Sequence, residues 1–385
     1  MTAPNPPFDF DPLTRNALPG VLRIQAYTPG MPIDELQRRL GLADVVKLAS
    51  NENPLGASPR VQQTLANAAH SDNLALYPDG SGFRLKRKIG EYHGIAPERV
   101  TLGNGSNDLL EFLSRIYAGP GRAVMYSDFA FAVYALAAQA QNADSVVVPA
   151  YPADHPMAYG HDLEAFAHGL RQRPDVSLVF IANPNNPTGT WNAPQEILGF
   201  LEQVPPHVIV ALDEAYWDYQ DPALRPDARP WLERFPNLVI TRTFSKIYGI
   251  ASLRVGYALS HPTVADLLNR VRQPFNNNSF ALLAAEAALD DQDHVRHSIA
   301  LNTQQRASLE TRLRERRLTV LPSQANFLTV GFGRDARDIH QGLLERGVIV
   351  RPMGSYGLPE FLRVTVGTAE QNERFLDALD PARSA

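Results

Sequence analysis

Short runs of apolar and β-branched residues alternate with longer amphipathic segments between about residues 100 and 260. Seven of the runs are predicted to be strands, at residues 99–102, 123–126, 145–148, 177–182, 208–212, 238–242 and 255–259. Uninterrupted apolar runs such as 208–212 suit strands that are buried on both faces. Residues 108–117 instead carry apolar side chains at helical spacing. The pattern predicts an α/β protein with a mostly parallel seven-stranded sheet covered by helices.

The C-terminal third has a different pattern. Long amphipathic helices are predicted at 280–290 and 302–317, followed by strands at 326–330 and 362–366 on either side of a helix at 336–346. This order suggests a second, smaller α+β domain. We therefore expect an N-terminal arm with part of the small domain at 1–43, a large domain at 44–272 and the small domain at 273–385.

Composition narrows the function classes. The net charge of −5 gives no sign of a nucleic-acid or anionic membrane partner. The absence of cysteine excludes disulfides, thiolate metal sites and cysteine nucleophiles, and no HExxH motif is present, so no metal site is predicted. No run reaches the roughly 18 apolar residues of a membrane span. We expect a cytoplasmic enzyme.

Lysine is scarce, which makes Lys246 informative. The 36 basic residues comprise 32 arginines and four lysines, at positions 47, 86, 88 and 246. Arginine stays protonated and forms no imine with an aldehyde, so it cannot replace lysine in that reaction. Lys246 lies among apolar and hydroxyl residues, where partial burial makes an amine nucleophilic. This segment alone fits a surface lysine at a strand end equally well.

Polar residues follow four of the predicted strands. After 99–102, Gly105, Ser106 and Asn107 lead into a helix whose free amides suit a phosphate, with Ser106 as a plausible N-cap. An ordinary glycine turn is the alternative, and the third glycine of a dinucleotide fingerprint is missing. After 177–182, two prolines restrict the backbone around Asn186.

The other two strand ends carry charge. Asp213 directly follows 208–212, so its carboxylate needs a cationic partner such as a protonated pyridine nitrogen, and Tyr216 could reach the same ligand. A helix-capping aspartate with a packed tyrosine is the alternative. After 238–242 come Ser245 and Lys246, with Arg254 eight residues beyond, a set that suits a phosphate and an aldehyde.

One ligand accounts for all four strand ends. Ligands of open α/β sheets bind at the carboxyl ends of the strands. Pyridoxal phosphate (PLP) combines an aldehyde, a ring nitrogen, a phenolic oxygen and a phosphate. The sequence therefore predicts a PLP site.

The chain resembles the fold-type I PLP aminotransferases and, among them, the histidinol-phosphate aminotransferases. The resemblance rests on stretches in family order at 26–30, 48–54, 76–79, 185–189, 213–216, 243–246, 270–276 and 347–352. It implies a homodimer with a shared active site. It also implies transamination of L-histidinol phosphate with 2-oxoglutarate, giving imidazole acetol phosphate and L-glutamate in histidine biosynthesis.

The resemblance also implies residue roles. Lys246 holds the cofactor aldehyde as a Schiff base and then moves the substrate proton. Asp213 pairs with the ring nitrogen, while Asn186 and Tyr216 bind the ring oxygen. The phosphate is expected to contact Gly105, Ser106, Asn107, Ser245 and Arg254.

Further roles concern the ring face, the partner subunit and the substrate. Phe131 is expected to stack on the ring, and Tyr77 to reach the phosphate in the neighbouring subunit. The substrate-binding residues are expected to be Tyr27, Asn186, Asn326, Arg351 and Arg363, with Arg363 taking the α-carboxylate of glutamate or the phosphate of histidinol phosphate.

Three other functions remain open on the same scaffold. An aromatic amino acid aminotransferase is the first alternative, and a phosphothreonine decarboxylase the second. A PLP-sensing transcription regulator is disfavoured because only about 20 irregular residues precede the first motif and the net charge is negative.

Overall fold

The computed structural model describes residues 14–26, 30–70 and 75–384. Its centre is a seven-stranded sheet in the order β2-β8-β7-β6-β5-β3-β4. These strands are β2 Val100–Gly103, β3 Ala123–Ser127, β4 Ser145–Val148, β5 Val176–Ala182, β6 Ile209–Asp213, β7 Leu238–Thr243 and β8 Gly256–Ser260. The strands run in the same direction except β8, which is antiparallel to both of its neighbours, β2 and β7. The predicted α/β class and mostly parallel sheet are confirmed, and every predicted strand end lies within one residue of its observed position.

Helices cover both faces of this sheet. The fourteen α-helices in the described part of the chain are α1 Pro19–Arg23, α2 Ile33–Leu40, α3 Pro59–Ala69, α4 Phe83–His93, α5 Ser106–Tyr117, α6 Val133–Ala140, α7 Leu163–Gln172, α8 Pro194–Leu201, α9 Ala228–Arg234, α10 Pro262–Val271, α11 Ser279–Asp290, α12 Gln292–Glu315, α13 Arg337–Glu345 and α14 Ala369–Ser384. Strand β5 shows why its sequence is apolar throughout. Val179 and Ile181 pack into one core, and Leu178 and Phe180 into the core on the other face.

A smaller antiparallel sheet follows, in the order β12-β13-β10-β9, together with a two-stranded pair β1-β11. The strands are β1 Val46–Lys47, β9 Thr319–Val320, β10 Phe327–Gly331, β11 Val348–Ile349, β12 Arg351–Pro352 and β13 Phe361–Thr365. These strands share a separate core with α13 and α14. The N-terminal helix α2 joins this region, because Leu36 packs with Leu344 and Ile349.

Helix α11 packs with the large sheet, although a boundary near residue 273 would assign it to the small domain. Its alanines and leucines belong to the first core, as does Val295 of α12, whereas Leu309 of α12 belongs to the small core. We therefore propose that packing divides within α12. That helix also begins ten residues earlier than residue 302, where it was predicted, because the Asp291 side chain accepts a hydrogen bond from the His294 amide and caps it.

Among the described residues, no helix combines the length and the apolar character that crossing a membrane requires.

Candidate active site

A cavity lies at the carboxyl edge of the large sheet. Its empty volume is about 930 Å³ when the open solvent at its mouth is included. It opens where strands β2, β5, β6 and β7 end, as expected for an open α/β sheet. Eleven of the predicted site residues line it: Ser106, Asn107, Phe131, Asn186, Asp213, Tyr216, Ser245, Lys246, Arg254, Arg351 and Arg363. The fold therefore gathers side chains from both ends of the chain around one space.

The antiparallel strand β8 contributes to this edge through its first residue. Gly256 pairs with Gly103 at the end of β2 and with Thr243 at the end of β7. The loop between β7 and β8 closes on itself, with the Phe244 amide donating to the Val255 carbonyl at 3.1 Å. Because β8 runs against its neighbours, both ends of this loop lie beside the cavity.

Two glycines allow the backbone to approach closely at the start of α5. Gly105 has φ +82°, and a Cβ there would lie 2.3 Å from Nη2 of Arg254. A Cβ on Gly256 would lie 2.5 Å from the Ser106 amide nitrogen. Ser106 was predicted to be the N-cap, but the N-cap is Gly105, which has no side chain to make a cap bond. The free amides of the first turn and the Arg254 guanidinium together suit a phosphate.

The carboxylate of Asp213 is buried at the end of β6, with 5% of the residue exposed. It accepts hydrogen bonds from the Tyr134 hydroxyl at 2.9 Å and from the Ala215 amide at 3.2 Å. Burial raises the pKa of this carboxyl, and the hydrogen bond from Tyr134 opposes the rise. Such a carboxylate gains from a cationic partner, as a protonated pyridine nitrogen would be.

Lys246 follows β7, and its Nζ donates to the Ser50 carbonyl at 3.0 Å. Burial, with the nearby Arg363 charge as the next cause, lowers the pKa of Lys246 to about 8. About a tenth of the amine is therefore uncharged at pH 7 and about half at pH 8, and the uncharged amine is the form that attacks an aldehyde.

Two arginines form the opposite wall. Arg351 and Arg363 are direct partners in the antiparallel pair β12-β13, so their side chains leave the sheet on the same face. Arg363 is buried and donates to Oδ1 of Asn186 and, at 2.9 Å, to the Ala49 carbonyl. The two guanidinium groups give this wall a positive charge.

Four predicted site residues do not line the cavity or cannot be placed. Gly105 shapes the start of α5 without lining the space. Asn326 is buried, and its Nδ2 donates to the Asn51 carbonyl at 3.0 Å. Tyr77 is 81% exposed and stacks on Phe275 at 4.7 Å, away from this cavity. Tyr27 lies outside the described residues.

Comparison with known proteins gives a consistent result. Residues 43–379 match the model of the family described as aminotransferase class I and II. The chain belongs to this family. It is 52% identical over 365 residues to histidinol-phosphate aminotransferase 2 of Pseudomonas aeruginosa, covering 94% of this chain and 96% of the relative. It is 48% identical over 368 residues to histidinol-phosphate aminotransferase 2 of Methylococcus capsulatus, covering 96% and 98%.

The likeness to histidinol-phosphate aminotransferases extends to the three-dimensional fold of a solved structure. The histidinol-phosphate aminotransferase of Sinorhizobium meliloti, crystallised with pyridoxal-5'-phosphate, has a TM-score of 0.85 at 26% identity, covering 96% of this chain and 98% of that one. Aspartate aminotransferase from Thermus thermophilus shares the fold, with a TM-score of 0.78 at 19% identity. The predicted resemblance, the fold-type I architecture and the enzyme class are confirmed.

Three residues at or beside the cavity of this aminotransferase were not predicted from the sequence. Tyr134 bonds Asp213, Asn51 bonds Tyr216, and Tyr356 lines the wall that carries Arg351. Tyr134 is completely buried in the first turn of α6, three residues after Phe131, so its closeness in sequence to the predicted stacking residue could have indicated it. Phe131, which touches Tyr134 edge-on at 5.9 Å, lines the cavity, and its stacking on the ring stays a prediction.

Proposed function

We propose that this aminotransferase transfers the amino group of L-histidinol phosphate to 2-oxoglutarate, producing imidazole acetol phosphate and L-glutamate in histidine biosynthesis. The arginine pair opposite Lys246 is the observation that carries the substrate assignment. A phosphate dianion matches two adjacent guanidinium groups. The names of relatives that are about half identical over nearly the whole chain support it.

Pyridoxal phosphate as cofactor is confirmed by the family and by the PLP complex of the structural neighbour. The residues present fit it, since an enclosed carboxylate, an amine of lowered pKa and a glycine-shaped helix end meet in one cavity. When bound, PLP supplies an aldehyde for the amine and a ring that accepts electrons. Its phosphate would be held by the amides of Ser106 and Asn107 with Ser245 and Arg254.

The remaining cofactor contacts would come from other residues that line or support the same cavity. Asp213 would hold its negative charge beside the ring nitrogen, and Tyr134 keeps that carboxylate in place. Asn186 and Tyr216 would bind the ring oxygen. Lys246 would hold the aldehyde through its Nζ and, when the substrate amine takes its place there, would accept the proton of the substrate Cα on that Nζ.

The arginine wall serves both half-reactions. Arg363 and Arg351 would bind the phosphate of histidinol phosphate in the first half-reaction. In the second, Arg363 would bind a carboxylate of 2-oxoglutarate. One site can accept both because a guanidinium pairs with either anion in a bidentate manner.

Assembly completes the proposal. We propose a cytoplasmic homodimer in which Tyr77 reaches the cofactor phosphate of the neighbouring subunit. Leu76, Tyr77, Phe83 and Phe275 are apolar and largely exposed in the single chain, and a partner subunit would cover them. Neither nucleic acid nor a membrane is proposed as a partner.

Specificity constants test the substrate. We expect kcat/KM for L-histidinol phosphate, with 2-oxoglutarate as acceptor, to exceed the values for L-phenylalanine and L-tyrosine by about 100-fold or more, as loss of a charge-assisted phosphate contact predicts. A preference for the aromatic amino acids would refute the substrate assignment and leave the chemistry intact.

A half-reaction experiment tests the chemistry directly. Adding L-histidinol phosphate to the holoenzyme without an acceptor should change the absorbance of the bound cofactor, and adding 2-oxoglutarate should restore it. Carbon dioxide release from a phosphorylated amino acid such as phosphothreonine would instead identify a decarboxylase.

A further inference from the structure

Asn51 is buried against Tyr216 in an unusual backbone conformation. It is 1% exposed, with φ +56°, a region that asparagine tolerates better than most non-glycine residues. Its Nδ2 donates to the Tyr216 hydroxyl at 2.9 Å, and its backbone amide donates to Oγ1 of Thr365 at 2.9 Å. Its Oδ1 accepts from the Thr365 hydroxyl at 3.2 Å, and its carbonyl accepts from Asn326. All four polar groups of Asn51 are therefore bonded.

The orientation of this side-chain amide determines where the Tyr216 proton points. Nδ2 can only donate, so the Tyr216 oxygen must accept from it. The single hydrogen of Tyr216 is then free to point into the cavity. Thr365 favours this orientation. Its hydroxyl oxygen accepts a hydrogen bond from the backbone amide of Asn51, and its hydroxyl proton needs Oδ1 of Asn51 as an acceptor.

The ring of Tyr216 is fixed by packing. It is buried, meets Phe327 edge-on at 5.3 Å and lies 5.5 Å from Nζ of Lys246. With the ring fixed, rotation of the hydroxyl is the remaining freedom, and Asn51 restricts it.

We propose that Asn51 is a positioning residue that orients the Tyr216 hydroxyl as a hydrogen-bond donor toward the ring oxygen of PLP. Thr365 holds Asn51 in that orientation. Since Thr365 lies on β13, two residues after Arg363, the same strand supports the cofactor contact and carries the substrate arginine. This role rests on the proposed function, because it requires PLP in the cavity.

Several charged or titratable groups face Tyr216. Burial raises the pKa of Tyr216 and Asp213 adds to the rise, whereas Arg363 and the hydrogen bond from Asn51 lower it. Lys246 lies over its ring. An experiment on Asn51 must therefore separate the hydrogen bond from these charges, which a comparison in the Tyr216→Phe background does.

The experiment measures the bound cofactor in the absence of substrate. The variants are Asn51→Gly, which accepts the positive φ without the side-chain amide, and Asn51→Asp, which has the same shape but accepts a hydrogen bond from the Tyr216 hydroxyl instead of donating one. For each, the PLP dissociation constant and the pKa read from the pH dependence of cofactor absorbance are determined. A hydrogen bond donated to the ring oxygen stabilises its negative charge, so losing it leaves that oxygen more basic and raises this pKa.

We expect Asn51→Gly to raise the pKa by about 0.5 to 1 unit and to weaken PLP binding about 3- to 10-fold. Asn51→Asp should have the larger effect. In the Tyr216→Phe background, Asn51→Gly should add little, because the hydroxyl that Asn51 orients is gone, and Asn51→Asp should keep only the part of its shift that its charge causes.

Asn142→Gly is the matched control. Asn142 has φ +55°, almost the same backbone conformation, and bonds the Gly20 amide outside the cavity. We expect it to leave both the pKa and the dissociation constant unchanged. Thr365→Val, which removes the hydroxyl that holds the amide, should shift the pKa in the same direction by a smaller amount, and it tests the role if neither Asn51 variant folds.

Two results would overturn the inference while leaving the proposed function intact. One is unchanged values in the Asn51 variants, and the other is an equal shift with and without the Tyr216 hydroxyl. Failure of the wild-type protein to bind PLP would overturn the proposed function, and this inference with it.

Discussion

The cavity wall at the large sheet consists of strand ends and the loops that directly follow them, whereas the opposite wall depends on contacts between distant segments. Asp213 and Lys246 come at or just after the ends of β6 and β7. Arg363, in contrast, contacts Asn186 and Ala49, which are 177 and 314 residues away along the chain. The first wall is a local property of the sequence, and the second is a property of the packed fold.

The difference shows which chemistry each wall can specify. In the proposed function, the sheet wall provides an amine, a carboxylate and a phosphate site, which together would select the cofactor. The arginine wall would select the anion that the substrate carries. Substitutions on the two walls should therefore affect different measured quantities, and the following predictions use that separation.

Lys246 should give the largest effect. We expect Lys246→Ala to lower turnover by about 10³-fold or more, because both the aldehyde attachment and the proton carrier are lost. Lys246→Arg should be almost as inactive, since it restores the charge and not the imine. Single-turnover absorbance measurements check this, and an arginine variant within tenfold of wild type would contradict it.

Gly256→Ala should weaken PLP binding by about 10- to 100-fold. The added methyl would meet the Ser106 amide and displace the first turn of α5, and overpacking of this kind costs about 1–3 kcal/mol. A PLP titration measures the effect. The control is Gly199→Ala, where nothing lies within 4 Å of the added Cβ, and equal loss in both variants would argue against a specific role for Gly256.

Arg363→Lys should act on the substrate instead of the cofactor. Lysine keeps the charge but loses the bidentate geometry, so we expect KM for L-histidinol phosphate and for 2-oxoglutarate to rise about tenfold. The PLP dissociation constant should stay within about twofold of wild type, as measured by the same titration. Parallel losses in both quantities would show that the two walls are not separate.

The pH dependence of Lys246 tests its burial at the sheet wall together with the charge of Arg363 on the opposite wall. Only the uncharged amine attacks an aldehyde, and the pKa of Lys246 is lowered to about 8. In cofactor-free protein, the initial rate of pyridoxal attachment at Lys246, trapped by borohydride, should therefore fall about fivefold from pH 8 to pH 7. A rate still rising steeply at pH 9 would mean that the pKa is not lowered.

Tyr77→Phe should give the smallest effect. It removes one hydroxyl that is proposed to reach the phosphate from the partner subunit, so PLP binding should weaken about threefold without a change in KM. PLP titration at protein concentrations above and below the dissociation constant of the dimer shows whether the effect comes from the partner subunit. A loss that persists in the monomer would contradict a contribution across subunits.

The sequence was sufficient for the large sheet and its strand ends. Those features depend on short apolar runs and on polar residues directly after them, which local physics sets. The contact between Tyr134 and Asp213 could not be predicted this way, because 79 residues separate them and their meeting depends on how α6 packs on the sheet, where Tyr134 stacks on Phe180 of β5.

Asn326 illustrates the same limit on the other wall. The family resemblance implied that Asn326 binds the substrate, yet its side-chain amide donates to the Asn51 carbonyl. Which way a side chain points there depends on how β10 lies against the segment at 49–51, a relation between residues 275 positions apart. The local sequence pattern carries no information about the direction of this side chain.

The loop between β7 and β8 has a consequence for motion. It carries Ser245 and Lys246 near one end and Arg254 near the other, and it closes through the bond between Phe244 and Val255. When this hairpin shifts, the two proposed attachment points of the cofactor shift together, so the spacing between aldehyde and phosphate would be conserved. Thermal fluctuation of the sheet edge would then move the cofactor as a whole without stretching it.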